Sequence, residues 1–192
     1  MATTEPRWDV PGYYGYADAI DAMGSISAPL LAGISIALAT LVISSADAFH
    51  WVSATLFLLV GATFSFVGCV QLTFRARQFV VTPSQIEEWW PNHEQPSVHE
   101  RLRREQRYHH QEYKKWARLA RSAYNVGVLA FVLGIAALLV PKPGIRHMSD
   151  GRLTVFVLAL AAFACEVAWI SWTALGAGSK VKDYPPPPAP ET

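Results

Sequence analysis

Apolar positions gather in four runs along the chain, 28–45, 52–73, 122–140 and 153–175. Each holds about 18–23 residues, enough for a helix to cross a hydrocarbon core ~30 Å thick at 1.5 Å per residue. Short connections separate the first run from the second and the third from the fourth. Pro141-Lys142-Pro143-Gly144 and Asp150-Gly151 mark the later of these as a turn-rich loop. The connection between the second and third runs, 74–121, is long and polar. The pattern predicts an all-α integral membrane protein with four transmembrane helices. Two hairpins, 24–73 and 122–176, flank a helical region that extends the third span.

The polar segments carry their own signals. In the lead-in, 1–23, Trp8, Tyr13, Tyr14, Tyr16, Ile20 and Met23 suit a segment lying flat at the headgroups, while Asp9, Asp18 and Asp21 oppose strong attraction to anionic lipid. Ser84 with Glu87 fits a capping box for a short helix over 85–90, stopped by Pro91. Ser97 with Glu100 fits a second box. No proline follows until Pro141, so one helix is expected to run over 98–140, about 65 Å at 1.5 Å per residue. The last segment, 177–192, holds Pro185 to Pro188 and Pro190, and is expected to be a disordered, proline-rich tail.

Composition agrees with the pattern. Of 192 residues, 52% are hydrophobic and 16% charged, whereas an ordinary soluble domain is about a quarter charged. The net charge of +1 conceals a strong asymmetry. Arg75, Arg77, Arg101, Arg103, Arg104, Arg107, Lys114, Lys115, Arg118 and Arg121 all lie in the long connection, and Arg7, Lys180 and Lys182 in the terminal segments. Only Lys142, Arg146 and Arg152 fall on the opposite side. The positive-inside rule therefore predicts a protein of the cytoplasmic membrane with both termini inside. Trp51, Tyr124 and Trp172 fall near the expected interfaces. Ala46-Asp47-Ala48 has the form of a signal-peptide cleavage site. The acidic residues before it and the length of the run argue against cleavage.

The long helix carries a seam. Alternate steps of four and three from Leu102 reach Gln106, His109, Tyr113, Trp116, Ala120, Ala123, Gly127, Ala130, Gly134 and Ala137. From Ala120 onward every member is small, which permits close helix approach in lipid. Gly61, Ser65 and Cys69 offer a small-residue stripe on the second span to match it. The seam predicts packing within the bundle, with part of it available to a second subunit.

Arg101, Arg103, Arg104, Arg107, Lys114, Lys115, Arg118 and Arg121, with aromatic rings interleaved, are candidates for anionic lipid headgroups. The topology rule accounts for the same charges. No nucleic-acid module is recognisable, and no such partner is expected. Glu105, His109 and Glu112 share one helix face, but three ligands from one helix make a poor metal site, so no metal is expected. Cys69 and Cys165 lie in apolar runs without metal or redox spacing. Neither a nucleophile–His–acid pattern nor a phosphate loop is present. No enzymatic activity and no cofactor are expected.

Glu166 stands out in the fourth run, in AAFACEVAWISW. A charge at that depth costs a few kcal/mol, about 2.5–3.5 on insertion scales, unless it meets water or a partner. Ser35 and Ser65 lie at similar levels on the first two spans and are the expected partners of a protonated carboxyl. Repetition of Glu166 around a homo-oligomer would make a ring of acids, a device for cation selectivity. The leading expectation is a channel-like or membrane-permeabilising homo-oligomer with Glu166 near its polar path. The alternative is a non-catalytic adaptor that holds a cytoplasmic protein partner through the basic helix and the proline tail.

Overall fold

A computed structural model describes residues 15–91, 95–140 and 150–174, and these contain helices and turns but no strand. The proline-rich tail, the lead-in up to Tyr14 and the turn at 141–144 lie outside the described residues.

The described residues begin with Gly15 at φ 82°, a left-handed conformation that suits glycine, and its carbonyl accepts from the Ala19 N–H at 2.9 Å. Helix α1 (Tyr16–Ala22) passes through a π-turn (Met23–Ser27) into α2 (Ala28–Ser44). The three pieces form one rod of 29 residues. Residues 16–23 thus extend the first helix instead of forming a separate flat segment. The reason is packing: Tyr16, Ile20 and Met23 meet Ala76, Phe79, Tyr113, Trp116 and Ala117 in one cluster. A short turn (Ala46–Ala48) leads to α3 (Val52–Arg77), which outlasts its apolar run by one turn.

Helix α4 (Pro83–Trp89) is capped by Thr82, not by Ser84. The Thr82 hydroxyl accepts from the Gln85 N–H at 3.4 Å, and Gln85 Oε1 accepts from the Thr82 N–H at 3.0 Å. Proline at the first helical position fixes this start, because its missing N–H is not needed there. The same rule moves the start of α5 (Pro96–Leu139) ahead of the expected Ser97–Glu100 box. Gln95 occupies the cap position, with no side-chain hydrogen bond. Helix α5 runs 44 residues without a break. Helix α6 (Asp150–Ala174) takes in Asp150 and Gly151, which the sequence assigned to the loop.

Packing follows the alternate three-four spacing that keeps one stripe facing a partner. Helix α3 buries Thr55, Leu59, Ala62, Phe66, Cys69, Thr73 and Ala76. Helix α2 buries Ala28, Ala32, Ser35, Ala39 and Val42. Helices α3 and α5 share the most extensive interface, α2 joins α3, and α6 rests on α5. Three of the helices meet in the cluster of Ala28, Ala32, Ala62, Phe66, Cys69 and Ala120. The outside stays apolar: Phe57 is 79% exposed and Phe64 72%. Four helices are long and apolar enough to cross a membrane. An all-helical bundle with an apolar exterior is consistent with a multi-pass membrane protein.

Candidate functional site

The seam on α5 faces α3. Gln106, Tyr113, Ala120, Gly127, Gly134 and Ala137 are buried, and His109, Trp116, Ala123 and Ala130 half-buried. The fit is large into small. The Phe66 ring lies over Gly127, and the Leu59 side chain over Gly134. Cys69 joins this stripe, but Gly61 and Ser65 do not. Gly61 has nothing within 4 Å of its Cβ position, and Ser65 is only half-buried. The stripe of small residues expected on α3 is displaced because α5 already supplies the holes, so α3 supplies the knobs.

Glu166 lies on the face of α6 turned toward α5. Phe156, Ala159, Phe163, Glu166, Ile170 and Thr173 are the less exposed positions of that helix, again at three-four spacing. Across from it stands Tyr124. Ser27 of the π-turn, Cys69 of α3 and Glu166 of α6 are the polar groups in its vicinity. Its ring meets Phe66 edge-on at 5.9 Å. Ser27 closes the π-turn, and Gly24 in that turn lies directly against the Thr73 side chain. Such turns widen the helix locally and recur at functional sites. The wider turn lets the backbone press against Thr73. Ser27, Cys69, Thr73, Tyr124 and Glu166, from all four long rods, thus lie in one region of the bundle.

This arrangement differs from the expected partnership of Glu166 with Ser35 or Ser65. The Ser35 hydroxyl is buried and donates to the Leu31 carbonyl of its own helix at 2.7 Å. Among the described residues no hydrogen bond joins Glu166 to Ser35 or Ser65. Helix α6 meets α5, which carries the half-buried Tyr124 and Asn125 near that level. The signal for Tyr124 was available in the sequence. An antiparallel hairpin brings together residues equally far from its turn, and Tyr124 and Glu166 are symmetric about the 141–149 connection.

Toward the end of the bundle where α3 exits, called here the basic end, Arg77 pairs with Asp21 at 2.8 Å. The Arg75 guanidinium lies 5.6 Å from the Phe79 ring centroid and 5.7 Å from that of Trp116. Tyr113 packs edge-on against Tyr16 at 6.2 Å. Burial pushes the Tyr113 phenol up to about 12, with Tyr16, Asp18 and Asp21 adding to the shift. These contacts lock the first helix onto α3 and α5.

The basic residues of α5 have several environments. Arg101 lies over Trp90 at 5.5 Å, Arg104 stands 4.0 Å from Glu100, and Lys115 stands 3.7 Å from Glu112. Arg103 is half-buried, whereas Arg107, Lys114, Arg118 and Arg121 are exposed. Glu105 is exposed, and His109 packs on Phe79 at 5.9 Å. Among the described residues no three His, Cys, Asp or Glu side chains gather as metal ligands.

Compared with protein-family models, with curated proteins and with solved structures, the chain gives no significant match.

Proposed function

We propose that this protein spans the cytoplasmic membrane four times, with both termini inside, and works as a channel-like homo-oligomer with Glu166 beside its polar path. The observation that carries the reading is the place of Glu166. It is the one carboxylate within the apolar stretch 153–173 of α6, half-buried on the face toward α5 and in the vicinity of Tyr124. Helix α6 has none of its central apolar window buried, so most of its surface is open to lipid or to another copy. Several copies meeting along α6 would gather several Glu166 side chains, and a ring of acids selects cations. The Lys and Arg distribution supports the orientation.

Planar-bilayer recordings on the purified full chain test this. Cation conductance that falls with Glu166→Gln supports the reading, and silence of the unaltered protein sinks it. Cross-linking in native membranes tests the assembly directly; a monomer refutes the ring.

The adaptor reading rests on a separate observation. Helix α5 continues past α3 as a charged stalk, with Trp89 61% and Trp90 43% exposed beside it. Exposed tryptophan next to a charged helix suits a protein partner. Pull-down with the full chain, with and without Trp89→Ala, distinguishes this from the channel.

A further inference from the structure

The basic stretch of α5 divides by height. Nothing between Ser97 and Val126 is a proline or a glycine, the usual sources of a kink, so α5 is a continuous rod. Along it, Arg101 stands about 31 Å from Ser122 and Arg107 about 22 Å, at 1.5 Å per residue. Electrostatic attraction to a surface fades within about 8 Å at physiological salt. If the apolar run marks the membrane edge, the distal arginines stand too far out to hold a headgroup. They also share their stretch with Glu100 and Glu105.

The proximal set is different. Lys114, Arg118 and Arg121 follow one another at steps of four and three, so they form one stripe on one face. All three are exposed, and the Arg118 Nε–H donates to the Lys114 carbonyl at 3.4 Å, holding the guanidinium along the helix. Glu105 and Glu112 project from the opposite side, and Glu112 is taken up by Lys115.

An independent ruler sets the height of this stripe. Taking Glu166 and Tyr124 as level, one turn toward the basic end brings Trp169 on α6 to the height of Arg121 on α5. A second turn brings Trp172 to the height of Arg118. Trp169 is 66% exposed and Trp172 59%. Exposed tryptophan belongs at the boundary between acyl chains and headgroups. Two helices thus mark the same plane, one with indoles and one with guanidinium groups.

We propose that Lys114, Arg118 and Arg121 form a clamp for the headgroup of an anionic phospholipid. Two guanidinium groups suit bidentate contact with a phosphate, and the lysine adds a point charge one turn farther out. The clamp rests on the membrane reading above but not on conduction. It lies one turn from Tyr124 on the same helix, so a bound lipid sits next to the Glu166 region.

The test uses the full chain in nanodiscs of phosphatidylcholine with and without phosphatidylglycerol. Retained lipid is read by native mass spectrometry and thermal stability by a melting curve. The unaltered protein is expected to retain phosphatidylglycerol preferentially and to melt higher in its presence. The double variant Arg118→Gln/Arg121→Gln is expected to bind it about fivefold more weakly per charge removed. Arg101→Gln/Arg104→Gln is expected to keep the preference. No preference in the unaltered protein, or an equal loss in both double variants, overturns the clamp. A clamp that survives while bilayer recordings stay silent leaves it standing and removes only the channel. Extraction of the chain by carbonate removes both.

Discussion

The Phe66 ring occupies the space that a side chain on Gly127 would need: a Cβ there would stand 2.7 Å from Cε1 and 2.8 Å from Cδ1. Gly127→Ala therefore forces the ring off its partner. Alanine gains about 1 kcal/mol of helix propensity, and overpacking costs about 1–3 kcal/mol, so a net loss is expected. Unfolding in detergent measures it. Phe66→Leu in the same chain should recover part of the loss, because the two residues share one volume.

Gly61 and Gly24 should behave oppositely. The Cβ position of Gly61 has nothing within 4 Å, so Gly61→Ala is expected to be neutral or to stabilise by up to about 1 kcal/mol. Gly24 abuts the Oγ1, Cβ and Cγ2 atoms of Thr73. Gly24→Ala should be strongly destabilising, and Thr73→Ser should not rescue it, since Cβ itself stands in the way. Melting temperatures of the three variants in one detergent decide this.

These two glycines also show what the sequence makes legible. The α5 seam follows from periodicity, which one chain displays in full. Its partner on α3 does not. A small stripe such as Gly61, Ser65 and Cys69 looks like a packing face, but the stripe that meets α5 carries Phe66 and Leu59. Which stripe turns inward depends on the neighbours, and α3 must serve α2 and α5 together. Glu166 was visible as an anomaly, and matching depth across spans named Ser35 and Ser65, whereas the helix that packs on α6 is α5. The π-turn over Met23–Ser27 has no sequence mark that separates it from an ordinary helical turn.

Tyr113 gives the basic end a dependence on pH. Its phenol is pushed up to about 12 by burial, then by Tyr16, Asp18 and Asp21, from an ordinary value near 10. A raised value in the folded state means that its contribution to stability is complete below pH 10 and is lost as pH rises through about 12. Absorbance titration of tyrosinate should show a late phase that Tyr113→Phe removes. Asp21→Asn removes one nearby negative charge and should shift that phase to lower pH. It also removes the exposed Arg77 pair, which contributes about 0.2–1 kcal/mol and weakens with salt.

Glu166 separates structural need from function. Its neighbours along the α6 stripe, Phe163 and Ile170, are apolar, and among the described residues no hydrogen bond joins it to either expected serine. A carboxyl among apolar neighbours is expected to lower the stability of the α5–α6 contact, less than at the bilayer centre because Glu166 stands one turn from the level of Trp169 and Arg121. Glu166→Leu is expected to raise the stability of the bundle in detergent by about 1 kcal/mol or more. The same change should abolish cation conductance in planar bilayers if the carboxylate lines the path. Tyr124→Phe keeps the ring against Phe66 and deletes only the hydroxyl. It should reduce the current while leaving assembly intact. If Glu166 is instead helix glue, the signs reverse. Glu166→Leu would then destabilise, Tyr124→Phe would cost about 0.6–2 kcal/mol, and no current would exist to lose. A side chain that lowers stability and is needed for current is the mark of a functional residue, because its cost is offset only by what it does. The two variants together therefore assign Glu166 by the sign of a stability change, before any permeant ion is known.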